Sequence, residues 1–252
     1  MHLGLVTYMW GAEWDLPTLI KNCTDAGFEG VELRTTHKHG VEIALTKEQR
    51  AEVRKKFADS PVKFVGPGTA CEYHNQDHGI VNQQIDLTKK FVELSHDIGG
   101  TGVKVRPNAI VKGEDRDKTI ERIGKALAEC GVFAKEHGQE IRVEVHGPGT
   151  SDPAVMAKIM AAANHPNVVV CWNSNPGETV SGSLAHNFNL LKPYIGGTVH
   201  IHDLYDAYPY RELFKLLKEN KFTGYCLSES PATTDTLRVM KYYKALFDEW
   251  TK

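Results

Sequence analysis

The sequence predicts an α/β protein folded as a single (β/α)8 barrel over residues 1–252. Three observations carry that expectation. Short apolar runs alternate with longer amphipathic ones along the whole chain. Eight such strand–helix units follow one another with no change of composition or low-complexity stretch to mark a domain boundary. The length of 252 residues is close to the roughly 250 that such a barrel takes. Strict alternation implies parallel strands and right-handed crossovers, and eight units with nothing left over favour a closed barrel over an open sheet.

Each unit has its own signals. Leu3 to Thr7 reads as the first strand, and Asp15 caps a helix that has Pro17 in its first turn and stops at Gly27. Phe28 to Arg34 is the second strand, followed by a helix with Thr46 and Gln49 spaced as a capping box. Val62 to Val65 is the third strand, with Gly66-Pro67-Gly68 read as a tight turn at its end, and a helix follows from about Ile80 to Ile98. Gly102 to Arg106 is the fourth strand, and Asp117 to His137 its helix. Ile141 to His146 is the fifth, and Asp152-Pro153 opens the next helix with cap and proline together. Val168 to Asn173 is the sixth, with a helix from about Ser183 to Tyr194. Thr198 to His202 is the seventh, with a helix from Tyr208 to Asn220. Tyr225 to Glu229 is the eighth, and the last helix ends near Trp250.

Composition narrows the partners. A net charge of -2 gives no electrostatic reason to expect nucleic acid or an anionic membrane. No stretch approaches the roughly 20 apolar residues that span a bilayer. The N-terminus enters an apolar segment without a basic region before it, so no signal peptide is read and a cytoplasmic location is expected, with a processed secretory precursor left open. The five cysteines are scattered and form no CxxC pair, which reads as buried free thiols.

Four strands share an unusual pattern. Val31-Glu32-Leu33-Arg34, Val103-Lys104-Val105-Arg106, Ile141 to His146 and Val199-His200-Ile201-His202 all alternate apolar with charged residues. In a barrel ringed by helices the aliphatic set packs outward, so the charged set points inward. Buried charges need partners, a metal or a wet cavity. The strand-end residues of four consecutive strands are Glu144, Asn173, His200 and Glu229. Two carboxylates, an imidazole and an amide oxygen suit a divalent cation; manganese is favoured, with magnesium, cobalt and zinc open. No thiolate takes part, which argues against a structural zinc site.

Other residues at that end are candidates for substrate contact. His146 shares the inward face of Glu144, and Lys104 and Arg106 share that of the fourth strand. Arg34 and Arg142 read as structural ion-pair members. His37, His39, His74 and His78 lie in the loops after the second and third strands, where a barrel builds its site, and His74 is carried forward as a substrate contact. Trp10, Trp14 and Tyr73 fall in the first and third loops; aromatic faces suit a sugar ring, and Trp10 is taken as the contact. Asp203 and Asp206 are placed to orient His200.

At these residues the chain resembles the xylose-isomerase-like barrel superfamily of sugar isomerases and epimerases. Ala26 to Arg34, Val143-Glu144-Val145-His146, Val199 to Asp203 and Gly224 to Glu229 carry the resemblance, in the right order over nearly the whole chain. It implies a divalent metal on Glu144, the sixth-strand residue, His200 and Glu229, with Glu144 and Glu229 also moving protons. It also implies that His202, where relatives often carry Lys, faces substrate. The superfamily is often dimeric or tetrameric, which leaves a homo-oligomer open. The chain departs from the pattern on the sixth strand, where epimerases usually have an Asp followed three residues later by a His. Here the stretch is Asn173-Ser174-Asn175-Pro176. That departure also argues against the apurinic-endonuclease branch, which needs further His and Asp ligands.

The expected function is therefore a metal-dependent sugar or keto-sugar isomerase or epimerase that moves a proton next to a carbonyl. A lyase cleaving keto-glycosides with the same enolising machinery, and a non-catalytic sugar-binding barrel, are the alternatives.

Overall fold

The computed structural model describes residues 1–179, 182–205 and 207–252. Eight parallel strands close into a barrel in chain order: β1 (His2–Val6), β2 (Gly30–Arg34), β3 (Lys63–Gly68), β4 (Gly102–Val105), β5 (Glu140–Glu144), β6 (Val168–Asn173), β7 (Ile195–Ile201) and β8 (Tyr225–Ser228). Around them run α1 (Leu16–Ala26), α2 (Lys47–Ala58), α3 (His78–Ile98), α4 (Arg116–Glu136), α5 (Pro153–Ala163), α6 (Leu184–Leu191), α7 (Tyr210–Glu219) and α8 (Thr236–Trp250). No helix among the described residues is long and apolar enough to cross a membrane.

The helix boundaries follow from local chemistry. Asp15 accepts from the Thr18 N–H, and Gly27 turns α1 off at φ 76°. Thr46 and Gln49 exchange both bonds of the capping box that starts α2. Asp152 accepts from Ala154 N–H to start α5. α3 begins two residues before the expected Ile80, because Asp77 caps it through Gly79 N–H.

The alternation does what it predicts. Val31, Leu33, Val103, Val105, Ile141, Val143, Val199 and Ile201 are at most 1% exposed and belong to the core between strands and helices. Inside the barrel Val6, Val65, Leu227 and the half-buried Tyr225 form a separate apolar cluster. At its N-terminal side Arg142 donates to Glu140, to Thr101 Oγ1 and to the Val65 carbonyl. That end of the barrel is filled by side chains. All five cysteines are buried free thiols.

β3 corrects the expectation for its segment. It runs on through Gly66-Pro67-Gly68, and Pro67 pairs with Leu33 while Gly68 pairs with both Arg34 and Lys104. The ladder between β3 and β4 is short, so the N–H that Pro67 lacks is lost where few bonds are made. A Cβ on Gly66, at φ 152°, would stand 2.0 Å from the Gly102 carbonyl oxygen, so no side chain fits there.

Candidate functional site

The C-terminal strand ends bring the four expected donors together. Glu144 and Asn173 close β5 and β6, His200 lies at the end of β7 beside Asn173 in register, and Glu229 directly follows β8. One donor atom each from Glu144, His200 and Glu229 falls within 4.8 Å of the others. The His200 ring is fully buried, with Nδ1 at 3.6 Å from Glu144 Oε1 and 3.7 Å from Glu229 Oε2. Asn173 donates its amide N–H to Glu144 Oε1 at 2.9 Å, which leaves its Oδ1 buried without a partner. His200 Nδ1 is buried without a hydrogen bond as well. Buried acceptors of this kind need a donor or a cation. Two carboxylates, an imidazole nitrogen and an amide oxygen facing one point fit a divalent ion.

The carboxylate behind His200 is Glu32, not Asp203. Its Oε1 faces His200 Nε2 at 3.3 Å, and both residues are sealed from solvent. A carboxylate behind a ligating imidazole sets its tautomer and points the other nitrogen at the centre. Asp203 instead lines the cavity above, and Asp206 lies outside the described residues. Burial disfavours the imidazolium, but Cys171, Glu32 and Glu144 outweigh it and raise the His200 pKa well above its ordinary value.

Lys104 supplies the counter-charge. Its ammonium donates to Glu144 Oε2 at 2.8 Å. Burial would raise the Glu144 carboxyl, but Lys104 and His200 hold it well below the usual carboxylate range. Glu229 is lowered too, chiefly by His200 against the cost of burial.

A cavity of about 560 Å³ opens above the cluster, lined by Glu144, Asn173 and Glu229. Lys104, Arg106, His146 and His202 stand in its wall. Arg106 and Asn108 both donate to Glu72 Oε1, which turns Asn108 Oδ1 toward His146 Nδ1 at 2.6 Å. His146 therefore carries its proton on Nδ1 and presents Nε2 as an acceptor, and burial lowers its pKa. The Glu229 carbonyl fixes the same tautomer in His202, at 2.9 Å from Nδ1.

Trp10 and His74 are not in that wall. Trp10 is 2% exposed and packs edge-on against Tyr243, so its ring belongs to the core. Tyr73 is buried likewise, bonded to Thr88. His74 sits behind the cavity, 3.9 Å from Glu72, with its carbonyl bound by Arg122. His39 is structural: Nε2 donates to the Arg34 carbonyl and Nδ1 accepts from Val41. Tyr8 and Met9 line the cavity in Trp10's place, directly after β1. The only signal for them is their position at a strand end. Arg142 makes its ion pair with Glu140, whereas Arg34 lines the cavity and lies over the Tyr8 ring at 4.9 Å.

A sequence profile of the family described as xylose isomerase-like TIM barrel matches residues 20–246. A search of curated protein sequences finds no match. Among solved structures the chain is similar to an L-ribulose 3-epimerase, with a TM-score of 0.85 at 16% identity over 99% of this chain and 94% of the other. It is similar to a 3-keto-D-glucoside 4-epimerase from E. coli, at 0.80 and 13% over 99% of each chain. It is also similar to the IOLI protein, solved with a binding zinc atom, at 0.81 and 16% over 100% and 98%. At such identities the likeness is one of fold.

Proposed function

The chain belongs to the xylose isomerase-like TIM barrel family, and from that premise we propose that it is a divalent-metal-dependent isomerase or epimerase of a sugar or keto-sugar. The observation that carries the reading is the donor set of Glu144, His200 and Glu229 within 4.8 Å, with the unpartnered Asn173 Oδ1 beside it and an open cavity above. Manganese is the favoured ion, since oxygen donors predominate. The sugar epimerases and the zinc-binding protein among its structural neighbours support the same chemistry.

When bound, the metal would polarise a carbonyl and its adjacent hydroxyl and stabilise negative charge on those oxygens. The chain's own residues do the rest. Glu144 and Glu229 both lie beside His200 Nδ1, and each is held ionised, so one takes the proton next to the carbonyl and the other, after picking up a proton from solvent, returns one. Lys104 keeps Glu144 in place and offers its remaining N–H donors to a substrate oxygen. His146, held neutral by burial, presents an acceptor nitrogen to hydroxyls, and His202 turns its Nε2 side to them.

A second reading, the keto-glycoside-cleaving lyase, is favoured by one observation. Lys104 shares the wall with Glu144, so an N–H donor stands beside the base where a leaving oxygen would need one.

Metal content and deuterium exchange test the proposal together. The purified chain is expected to hold manganese after soaking, and to wash in solvent deuterium next to the carbonyl of its sugar. Glu144→Gln and Glu229→Gln are each expected to slow that exchange about 10²–10⁴-fold. No divalent metal by elemental analysis even after soaking would sink the idea. Loss of the glycosidic bond instead of stereochemical inversion would select the lyase.

A further inference from the structure

Arg34 ends β2 and stands in the wall of the same cavity as Glu144 and Glu229. The other two long cations there are already paired, Lys104 with Glu144 at 2.8 Å and Arg106 with Glu72 at 2.6 Å. Arg34 has no such partner: among the described residues no carboxylate oxygen comes within 4.0 Å of its guanidinium. A half-buried guanidinium without a counter-charge is costly unless water or a ligand supplies one.

Its position is nonetheless fixed. The backbone N–H donates to Thr7 Oγ1 and the carbonyl accepts from His39, both at 2.8 Å. The guanidinium lies over the Tyr8 ring at 4.9 Å, so one face is covered, and among the described residues no carboxylate meets its edge donors. The neighbouring position on β3 is Gly68, in register with both Arg34 and Lys104, so no side chain of β3 stands between them. The Glu32 carboxylate takes the space beside that glycine, with Oε1 2.6 Å from where a Gly68 Cβ would stand and 3.3 Å from His200 Nε2, and it makes no ion pair with Arg34 within 4.0 Å.

We infer that the cavity takes an anionic sugar, and that Arg34 binds its carboxylate or phosphate through the edge donors of the guanidinium. The sugar half of this inference rests on the proposed function; the anion half rests on Arg34. Charge also sets the direction of binding. Arg34 draws the acidic end to β2, away from the strand ends that carry the metal donors. The carbonyl end is left over the β5–β8 cluster. A neutral ketose would leave the guanidinium facing hydroxyls alone.

Three ligands on one skeleton test this: D-fructose, D-fructuronate and D-fructose 6-phosphate, titrated calorimetrically into the full chain, Arg34→Met and Arg34→Lys. At least one acidic ligand is expected to bind about tenfold or more tightly than fructose, with a margin that shrinks as salt rises. Arg34→Met is expected to erase the margin and Arg34→Lys to keep part of it, since lysine retains the charge without the fork. The tighter of the two acidic ligands tells carboxylate from phosphate. Equal affinity for acidic and neutral ligands, or a margin that survives Arg34→Met, overturns the inference. If Arg34→Met does not fold, a margin unchanged in Arg34→Lys and insensitive to salt overturns it instead. Deuterium exchange in the same samples separates the two readings. Exchange without an Arg34-dependent preference sinks the anion site alone; an Arg34-dependent preference without exchange in any ligand upholds it and sinks the catalytic reading.

Discussion

Lys104 Nζ lies 2.8 Å from Glu144 Oε2, and both side chains are almost wholly buried. A cation of the chain's own thus sits against a carboxylate that a metal would also use. Removing one member of a buried pair costs about 3–5 kcal/mol, because the other charge is left alone. Lys104→Met is therefore expected to lower the melting temperature of the metal-free protein, and added Mn²⁺ is expected to restore more stability to the variant than it adds to the parent. Thermal unfolding with and without Mn²⁺ checks both halves. An equal Mn²⁺ increment in the two proteins would count against competition at Glu144.

Asn173 bears on the same balance. It offers a neutral oxygen and donates to Glu144, so the centre has one negative charge fewer than an aspartate there would give. Asn173→Asp is expected to tighten Mn²⁺ binding about tenfold or more, each factor of ten being about 1.4 kcal/mol. Without metal the same change places like charges side by side, and the apoprotein is expected to melt earlier. Calorimetric titration reads the first effect and a melting curve the second; unchanged Mn²⁺ affinity would place Asn173 outside the donor set.

Glu178 gives the fold a pH dependence of its own. It is fully buried, and burial raises its pKa well above 4.5 although Tyr208 O–H donates to Oε2 at 2.7 Å. Trp172 in turn donates to the Tyr208 oxygen at 3.0 Å. The folded chain therefore holds the Glu178 proton more tightly than the unfolded chain. This group's contribution to stability is complete below its ordinary value of 4.5 and is lost as pH rises toward and through the raised value. Within that window the loss is about 1.4 kcal/mol per pH unit. Glu178→Gln is expected to flatten this part of the curve, and urea unfolding at several pH values measures the difference in slope.

Gly66→Ala tests the crossing of β3 and β4. The added Cβ would meet the Gly102 carbonyl oxygen at 2.0 Å, and neither backbone is free to withdraw. A loss of more than about 3 kcal/mol is expected by chemical denaturation, above the usual range for a tight core insertion. A near-neutral result would mean that β3 leaves the sheet at this point.

Much of this was legible in the residues because a barrel makes strand ends converge. Glu144, Asn173, His200 and Glu229 needed only the strand count and the alternation to be placed together. The pair of Glu32 and His200 was not legible, since β2 and β7 meet only across the interior, where side-chain length decides who touches whom. Gly66-Pro67-Gly68 reads as a turn because its strand character comes from pairing with β2 rather than from propensity. Trp10 and Tyr8 are two residues apart in an aperiodic loop, and nothing local says which ring faces in. Arg34 looked like a charge awaiting an acid, and burial patterns alone do not reveal that none among the described residues comes within 4.0 Å.

The apolar cluster of Val6, Val65, Leu227 and Tyr225, with Arg142 beneath it, closes one end of the barrel. Traffic is then one-way in space and two-way in time. A molecule that enters at the C-terminal strand ends has to leave by the same end. Occupancy by one molecule bars the next, so whatever departs competes directly with whatever arrives.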